Sequence, residues 1–264
     1  MEFLKRNFAP ITQRSWAEID KRFREIMKSN LYARRVVDLH GPMGWEFSAL
    51  PLGEVVIKSS EGDKVKWGIR KVLPVIELRS SFSLNIWKLD DIERGAENID
   101  LTELEEAAKN VAAFEDEIVF YGCPEYGIAG LLDVLKDRYV TTEKQLDKFI
   151  GGLFEAIQVL KEDGIVGPYN LLVNKEVWNV MITSQDFAQR YKVIEKMLEG
   201  GTVIPTPRIP EAMLLAKGGH FKLFIGQDLS VGYEGHTAEM VNLFITETMT
   251  FVCVNPLGGV LIKF

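Results

Sequence analysis

Cysteine is nearly absent from this chain: Cys123 and Cys253 are its only two, and their spacing fits neither a CxxC redox pair nor a metal knuckle, so two free thiols are expected. Histidine is almost as scarce. His40, His220 and His236 lie far apart, and three scattered imidazoles read more naturally as surface or hydrogen-bonded residues than as metal ligands. No apolar run reaches the roughly 18 residues that a membrane span needs, and the opening MEFLKRNFAP has no apolar signal core. The expectation is a soluble cytoplasmic protein with no membrane partner. Positive charge is in deficit, 31 Lys and Arg against 38 Asp and Glu, which speaks against a dedicated nucleic-acid binder. The GxSxG elbow, the P-loop, a GxGxxG after a strand and HExxH are all missing, so the common hydrolase and nucleotide signatures fail together.

What is present suffices for a substantial core. Hydrophobic residues make up 47% of 264, enough for one large domain or two small ones. The chain is organised around the run 99–122, IDLTELEEAAKNVAAFEDEIVFYG. Asp100 is placed to cap its first turn and Glu103 to reach back, a capping box. Leu101, Leu104, Ala108, Val111, Phe114 or Glu115, Ile118 and Val119 then recur with helical period. Glu105, Glu106, Lys109, Asp116 and Glu117 fill the other side, and Gly122 stands just past the end. A helix of about 20 residues spans about 30 Å, enough to cross a domain as a spine.

Ahead of this spine, Thr12 is the expected N-cap of a helix carrying Trp16, Ile19, Phe23, Ile26, Met27 and Leu31 on one face, until HGPMGW at 40–45 breaks the pattern. Arg34 and Asp38 lie four apart, the spacing of an intrahelical ion pair worth about 0.2–0.5 kcal/mol, with a docking role left open. Residues 46–79 read as two arms of a long hairpin around Glu61, Gly62 and Asp63, with Pro74 at an edge. Such an arm, rich in Lys and Arg and marginal in isolation, is expected to lie on another subunit. The basic segment 1–35 and the acidic segment 90–117 have charges that attract within or between subunits. A strand is expected over 80–88, and Asp90, Asp91 and Glu93 are candidates for acid–base work or a divalent cation, although a solvated loop before a helix accounts for them as well. Further on come a helix from Thr141 or Thr142, a strand YNLLVN, a helix from Asp186 to Glu199, and the strands AMLLAK, FKLFIGQDLSVGYEG, VNLFITETMTFVCV and VLIKF. This is an α/β rhythm without regular βαβ alternation. A core, a projecting arm and no visible active site point to assembly.

Several segments, in order and along the whole chain, carry a family resemblance: MEFLKRNFAPIT followed by Trp16, LYARRVVDLHGPMGWE, PLGEV, VKWGIRKVLPVIELR, FEDEIVFYG, DGIVGPY, TPRI, GQDLSVGYE and FITETMTFVCVNP. In these the chain closely resembles the encapsulins, the family 1, linocin-type shell proteins of bacterial and archaeal nanocompartments. The resemblance implies an α+β fold of the Hong Kong 97-like tailed-phage capsid type. It implies an N-terminal helix and peripheral part at 1–45, an extended E-loop at 46–79, a peripheral domain with the spine at 80–129 and an axial domain at 130–220. Peripheral strands at 221–255 and a C-terminal strand at 256–264 complete the division. E-loops in the family lie across neighbours, and closed icosahedral symmetry offers roughly 60 equivalent places, the T=1 arrangement.

The function implied is encapsulation, with catalysis left to the cargo. Cargo enzymes of the family carry a C-terminal targeting peptide that docks on the inner wall. By position its contacts here are Met27, Leu31, Arg34, Asp38 and Leu39, with Leu229, Val231 and Tyr233. The cargo implied first is a ferritin-like iron-oxidising protein, for iron storage and oxidative-stress protection, and the alternative is a dye-decolorising peroxidase. Some relatives bind a flavin near a tryptophan, which carries over to Arg79, Ser80, Ser81, Trp87 and Asp90, with Trp87 stacking on the ring. The family's pore loop falls on Thr183, Ser184, Gln185, Asp186 and Phe187, in the region that matches least. An enzyme of protease or bacteriocin type finds no nucleophile and base in the sequence. A phage capsid protein shares the fold but usually needs a scaffolding segment or maturation cleavage.

Overall fold

The computed structural model describes residues 3–62 and 64–264. In chain order the elements are α1 (Gln13–Asn30), β1 (Asp38–His40), β2 (Ala49–Ile57), β3 (Gly68–Pro74), β4 (Ile76–Asn85), α2 (Ile86–Glu93) and α3 (Thr102–Phe120). There follow β5 (Gly122–Cys123), β6 (Ile128–Ala129), α4 (Leu131–Val134), β7 (Tyr139–Thr141), α5 (Leu146–Glu162), β8 (Tyr169–Val173), α6 (Lys175–Thr183) and α7 (Phe187–Met197). The chain closes with β9 (Val203–Pro205), β10 (Ala212–Ala216), β11 (Phe221–Ile225), β12 (Ser230–His236), β13 (Met240–Cys253) and β14 (Gly259–Lys263).

The long strand β13 is the axis of the first sheet. Along one edge it pairs antiparallel with β4, from Met240 opposite Asn85 to Met249 opposite Ile76. Along the other it pairs first with β12 and then with β11, which carries β1 in parallel on its far side. With both edges paired and both faces covered, Val241, Leu243, Ile245, Met249 and Phe251 are buried. The spine α3 and the helix α1 pack over this sheet. Trp16, Ile19, Phe23 and Met27 line one side of α1 at helical spacing, and Ala107, Ala108 and Ala112 let α3 come close. Each large side chain so buried contributes roughly 1.5–3 kcal/mol.

The second sheet runs β7-β14-β10-β8-β9 and serves two cores at once. On β8, Tyr169, Leu171 and Val173 face a core shared with Phe149, Leu153, Ile157 and Leu160 of α5, while Leu172 packs in the first core. On β10, Leu214 and its neighbours Ala212 and Ala216 face α5, while Met213 and Leu215 face the first core. Alternation along a strand thus becomes a continuous apolar run, because neither face meets water.

Several boundaries differ from the sequence reading. Thr12 does cap α1, accepting from Ser15 N at 3.1 Å. At the spine, however, Leu101 is the N-cap, without a side-chain bond, because it is drawn into the core at 3% exposure. Asp100 instead closes a turn just ahead, accepting from Thr102 N and Oγ1 at 3.1 and 2.7 Å. The strand expected over 80–88 stops at Asn85, which caps α2 by accepting from Lys88 N, so Trp87 sits on a helix. Thr141 belongs to β7 rather than to α5, and α6 was not anticipated, although Asn174, accepting from Val177 N at 2.9 Å, is the cap that announces it. FKLFIGQDLSVGYEG divides into β11 and β12. Arg34 and Asp38 share no helix. Asp38 lies on β1 and accepts from Gly219 N at 2.6 Å.

One buried polar knot joins spine, sheet and N-terminal segment. Glu115 and Asp116 of α3 and Glu247 of β13 are fully buried, against the expectation that Asp116 faces solvent. Arg34, in the turn Ala33–Arg35, donates from Nε to both Glu115 oxygens at 3.0 and 2.9 Å, from Nη2 to Glu247 Oε1 at 2.5 Å and from Nη1 to Asp228 Oδ1 at 3.1 Å. Burial alone works against its charge, but Glu115, Glu247 and Asp228 outweigh it and hold the guanidinium above its ordinary pKa. Removing one partner of a buried charge pair leaves the other uncompensated. Arg34→Ala should therefore cost about 3–5 kcal/mol in chemical denaturation. Arg34→Lys should recover only part, since an ammonium has no planar fork for two carboxylates. Equal stability of Arg34→Ala and wild type would show the knot to be inert.

Candidate functional site

The arm predicted from composition is present as the ladder β2–β3, running from Ala49 opposite Pro74 to Ile57 opposite Gly68, with a register shift between Pro51 and Val55. Of its expected turn, Glu61 and Gly62 are exposed, while Asp63 lies outside the described residues. Gly68 is needed sterically, because a Cβ there would meet Val55 Cγ1 at 2.6 Å and Val56 O at 2.8 Å. Val55, Ile57, Val65, Trp67, Ile69 and Val72 are each more than half exposed. Around them stand Lys58, Lys64, Lys66, Arg70 and Lys71, offset by Glu54 and Glu61, with Lys71 paired to Glu54 at 2.6 Å. Apolar side chains on a two-stranded ribbon have no core of their own to enter.

The residues carried over for peptide docking do not form one exposed face. Met27, Leu31, Val231 and Tyr233 are buried within the chain's own core. The Tyr233 hydroxyl lies 2.5 Å from His236 Nδ1. Arg34 is occupied by the knot, and Asp38 is half-buried at a backbone amide. Leu39, 48% exposed on β1, and the half-buried Leu229 are the apolar members that remain accessible. Asp228, beside Leu229 and bonded to Arg34, was missed by the sequence reading. So was a cleft of about 500 Å³ between the N-terminal segment and α1, lined in part by Arg6, Ile11, Trp16 and Asp20. There Arg6 pairs with Asp20 at 2.8 Å and lies 4.0 Å above the Trp16 ring.

Trp87, 68% exposed on α2, offers an open indole face, and Arg94 donates to its carbonyl at 3.0 Å. Arg79 and Ser81 lie on one face of β4 and Ser80 on the other, with Leu78, Phe82 and Leu84. Arg79 stacks over Phe244 at 4.2 Å, and Asp90 is half-buried one turn along α2 from Trp87. Arg79 and Ser80 line an open cleft of about 320 Å³ with Asn110, Val111 and Phe114 of α3, and Trp87 and Asp90 are not among its walls. Thr183 ends α6, Ser184, Gln185 and Asp186 form the link, and Phe187 opens α7. Asp186 takes a left-handed φ of 61° to turn the chain, and Thr183, Gln185 and Asp186 are exposed. The three histidines stay apart: His40 stacks on Phe224, His220 meets Asn255, and His236 meets Tyr233. Among the described residues no cluster of His, Cys, Asp and Glu is placed to hold a metal, and no helix is long and apolar enough to cross a membrane.

The model of the Linocin_M18 family, described as encapsulating protein for peroxidase, matches residues 1–250. The type 1 encapsulin shell protein of Rhodospirillum rubrum is 36% identical over 269 residues, covering 98% of this chain and 96% of the relative. That of Rhodococcus erythropolis is 35% identical, covering 96% of each. Among solved structures, a virus-like particle from Pyrococcus furiosus aligns over 94% of this chain and 99% of its own, with a TM-score of 0.65 at 15% identity. The capsid of the myovirus XM1 aligns over 88% and 91%, with a TM-score of 0.55 at 13% identity. The fold is therefore the Hong Kong 97-like capsid fold, α+β as expected. With the family model covering nearly the whole length and full-length relatives above 30% identity, the chain belongs to the encapsulin shell-protein family.

Proposed function

We propose that this chain is the subunit of a closed, hollow icosahedral shell of roughly 60 copies that encloses a cargo enzyme in the cytoplasm. The observation that carries the reading is the β2–β3 arm, whose apolar side chains are exposed on an extended ribbon. Burying a single such side chain on a neighbour contributes roughly 1.5–3 kcal/mol, repeated at every symmetry-related contact. Closure rather than filament growth follows if each arm and its receiving surface meet through a rotation that returns to its origin. In this reading residues 46–79 act as the E-loop, and the parts assigned by resemblance as peripheral and axial domains form the wall and its vertices. The loop from Thr183 to Phe187 lines a pore at the vertex.

For cargo, the reading is a ferritin-like iron-oxidising protein held by its C-terminal peptide, with a dye-decolorising peroxidase as the alternative. The matched family's description names a peroxidase, which favours the alternative, whereas the ferritin-like cargo rests on the resemblance. Leu39 and Leu229 are the side chains through which such a peptide would be held. A flavin stacking on Trp87 belongs to the same proposal, with Arg79, Ser80, Ser81 and Asp90 as its polar contacts.

Electron microscopy of the purified protein should show uniform hollow particles, and a monodisperse monomer or dimer would sink the shell reading. Val55→Ser with Trp67→Ser should abolish particles while leaving a folded subunit by circular dichroism. Leu39→Asp should assemble but fail to co-purify the cargo, and retention of full cargo would remove Leu39 from the docking surface. An absorption band near about 450 nm is expected if flavin is bound. Trp87→Ala should lose that band without losing particles, and an unchanged band would place the flavin elsewhere.

A further inference from the structure

Charge counting in the buried knot leaves a deficit. Glu115, Asp116 and Glu247 are all fully buried, and among the described residues the cations paired with them are Arg34 and Arg208. Asp228, the third acid within reach of Arg34, is half exposed and adds more negative charge. On the outer side Glu117 lines a shallow cleft with Tyr121 and Arg208 and supplies no compensation. Three buried carboxyls against two guanidiniums leave one negative charge without a partner, and an unpaired buried charge costs several kcal/mol.

The atoms show where it falls. Asp116 Oδ1 accepts from Tyr32 N at 3.0 Å and Ala33 N at 2.8 Å. Its Oδ2 lies 3.4 Å from Arg208 Nε in an ion pair, but neither of these two atoms has a hydrogen-bond partner. Glu247 Oε2 is likewise buried and without a hydrogen-bond partner. The knot also stands where the two cores meet. Asn170 of β8 donates to Arg35 O at 3.2 Å and accepts from Thr202 N at 3.2 Å, so the turn that carries Arg34 is tied to the second sheet. Arg208 follows β9 of that same sheet, and its carbonyl accepts from the Tyr121 hydroxyl at 3.1 Å.

We propose that this joint between the two cores holds a proton on Asp116 or Glu247, the two carboxyls with a buried oxygen lacking a hydrogen-bond partner, and that the subunit loses stability as the medium goes from acid to neutral. Burial, reinforced by Glu115 and opposed by the two amides and Arg208, pushes Asp116 up to about 7. Burial and the neighbouring Glu115 carboxylate raise Glu247 in the same direction against the pull of Arg34. A carboxyl raised in the folded state binds more proton there than in the unfolded chain. Stability therefore falls as pH climbs from the ordinary carboxylate value of 3.8 to about 7 for Asp116, and levels off above. The acid-side window is the reverse of that for an ordinary salt-bridged carboxylate.

The test uses the purified full-length protein. Infrared spectra near neutral pH should contain the carbonyl stretch of a protonated, buried carboxyl, and this band should diminish in E247Q or D116N. The melting midpoint of the wild type should fall between about pH 4 and about pH 7 and change little above, and D116N, whose amide still accepts from Tyr32 and Ala33, should lose part of that fall. If E247Q does not fold, the wild-type spectrum and the D116N melting series decide alone. Absence of a protonated-carboxyl band at neutral pH, or a melting profile whose pH dependence is the same in D116N and wild type, would overturn the proposal.

Discussion

The guanidinium of Arg34 is the constraint around which the first core is arranged. Two carboxylates cannot be taken out of water without a partner, and Arg34 alone reaches Glu115 on the spine and Glu247 on the central strand together. This fixes the rotation of α3 against β13, since a helix turned by one residue would point Glu115 away and bury a bare charge. Dispersion and apolar burial supply the bulk of the stability, but they tolerate small slides that hydrogen-bonded charges do not. The long β13 reinforces the arrangement by exhausting its own hydrogen bonds on three neighbouring strands, which leaves no free edge along the middle of the sheet.

The arm obeys the opposite logic. β2 and β3 pair only with each other, and although Leu73 reaches the first core, Val55, Ile57, Ile69 and Val72 stay outside. A tryptophan and several β-branched residues thus stand in water on a ribbon too thin to hide them. The family to which the chain belongs fits that arrangement, because a shell subunit has no need to be complete by itself.

Much of the architecture was legible from residue spacing. The helical period at Trp16, Ile19, Phe23 and Met27, the cap at Thr12 and the spine depend on neighbours within one or two turns, and the hairpin on the strand pattern either side of one turn signal. The misplaced boundaries have two causes. Leu101 and the start of α5 were settled by what each segment packs against, so that burial overrode the local signal, and the 86–88 turn follows from the Asn85 cap that the strand pattern masked. The candidate contact residues were less legible, since Met27, Leu31, Val231 and Tyr233 look alike in sequence whether they face a ligand or their own core.

By itself the sequence determined the periodicities, the charge imbalance and the exposed character of the arm, because each is a property of contiguous residues. Only the tertiary structure decided which polar groups would be buried together. Arg34 meets Glu115 across 81 positions and Glu247 across 213, and no local pattern announces a partner at such a distance. It also decided that β8 and β10 divide their alternating side chains between two cores, which turns what reads as a uniform apolar run into the wall between them. The physical reason is the same in both cases: periodicity is inherited along the chain, whereas desolvation is imposed by whatever closes over a residue in space.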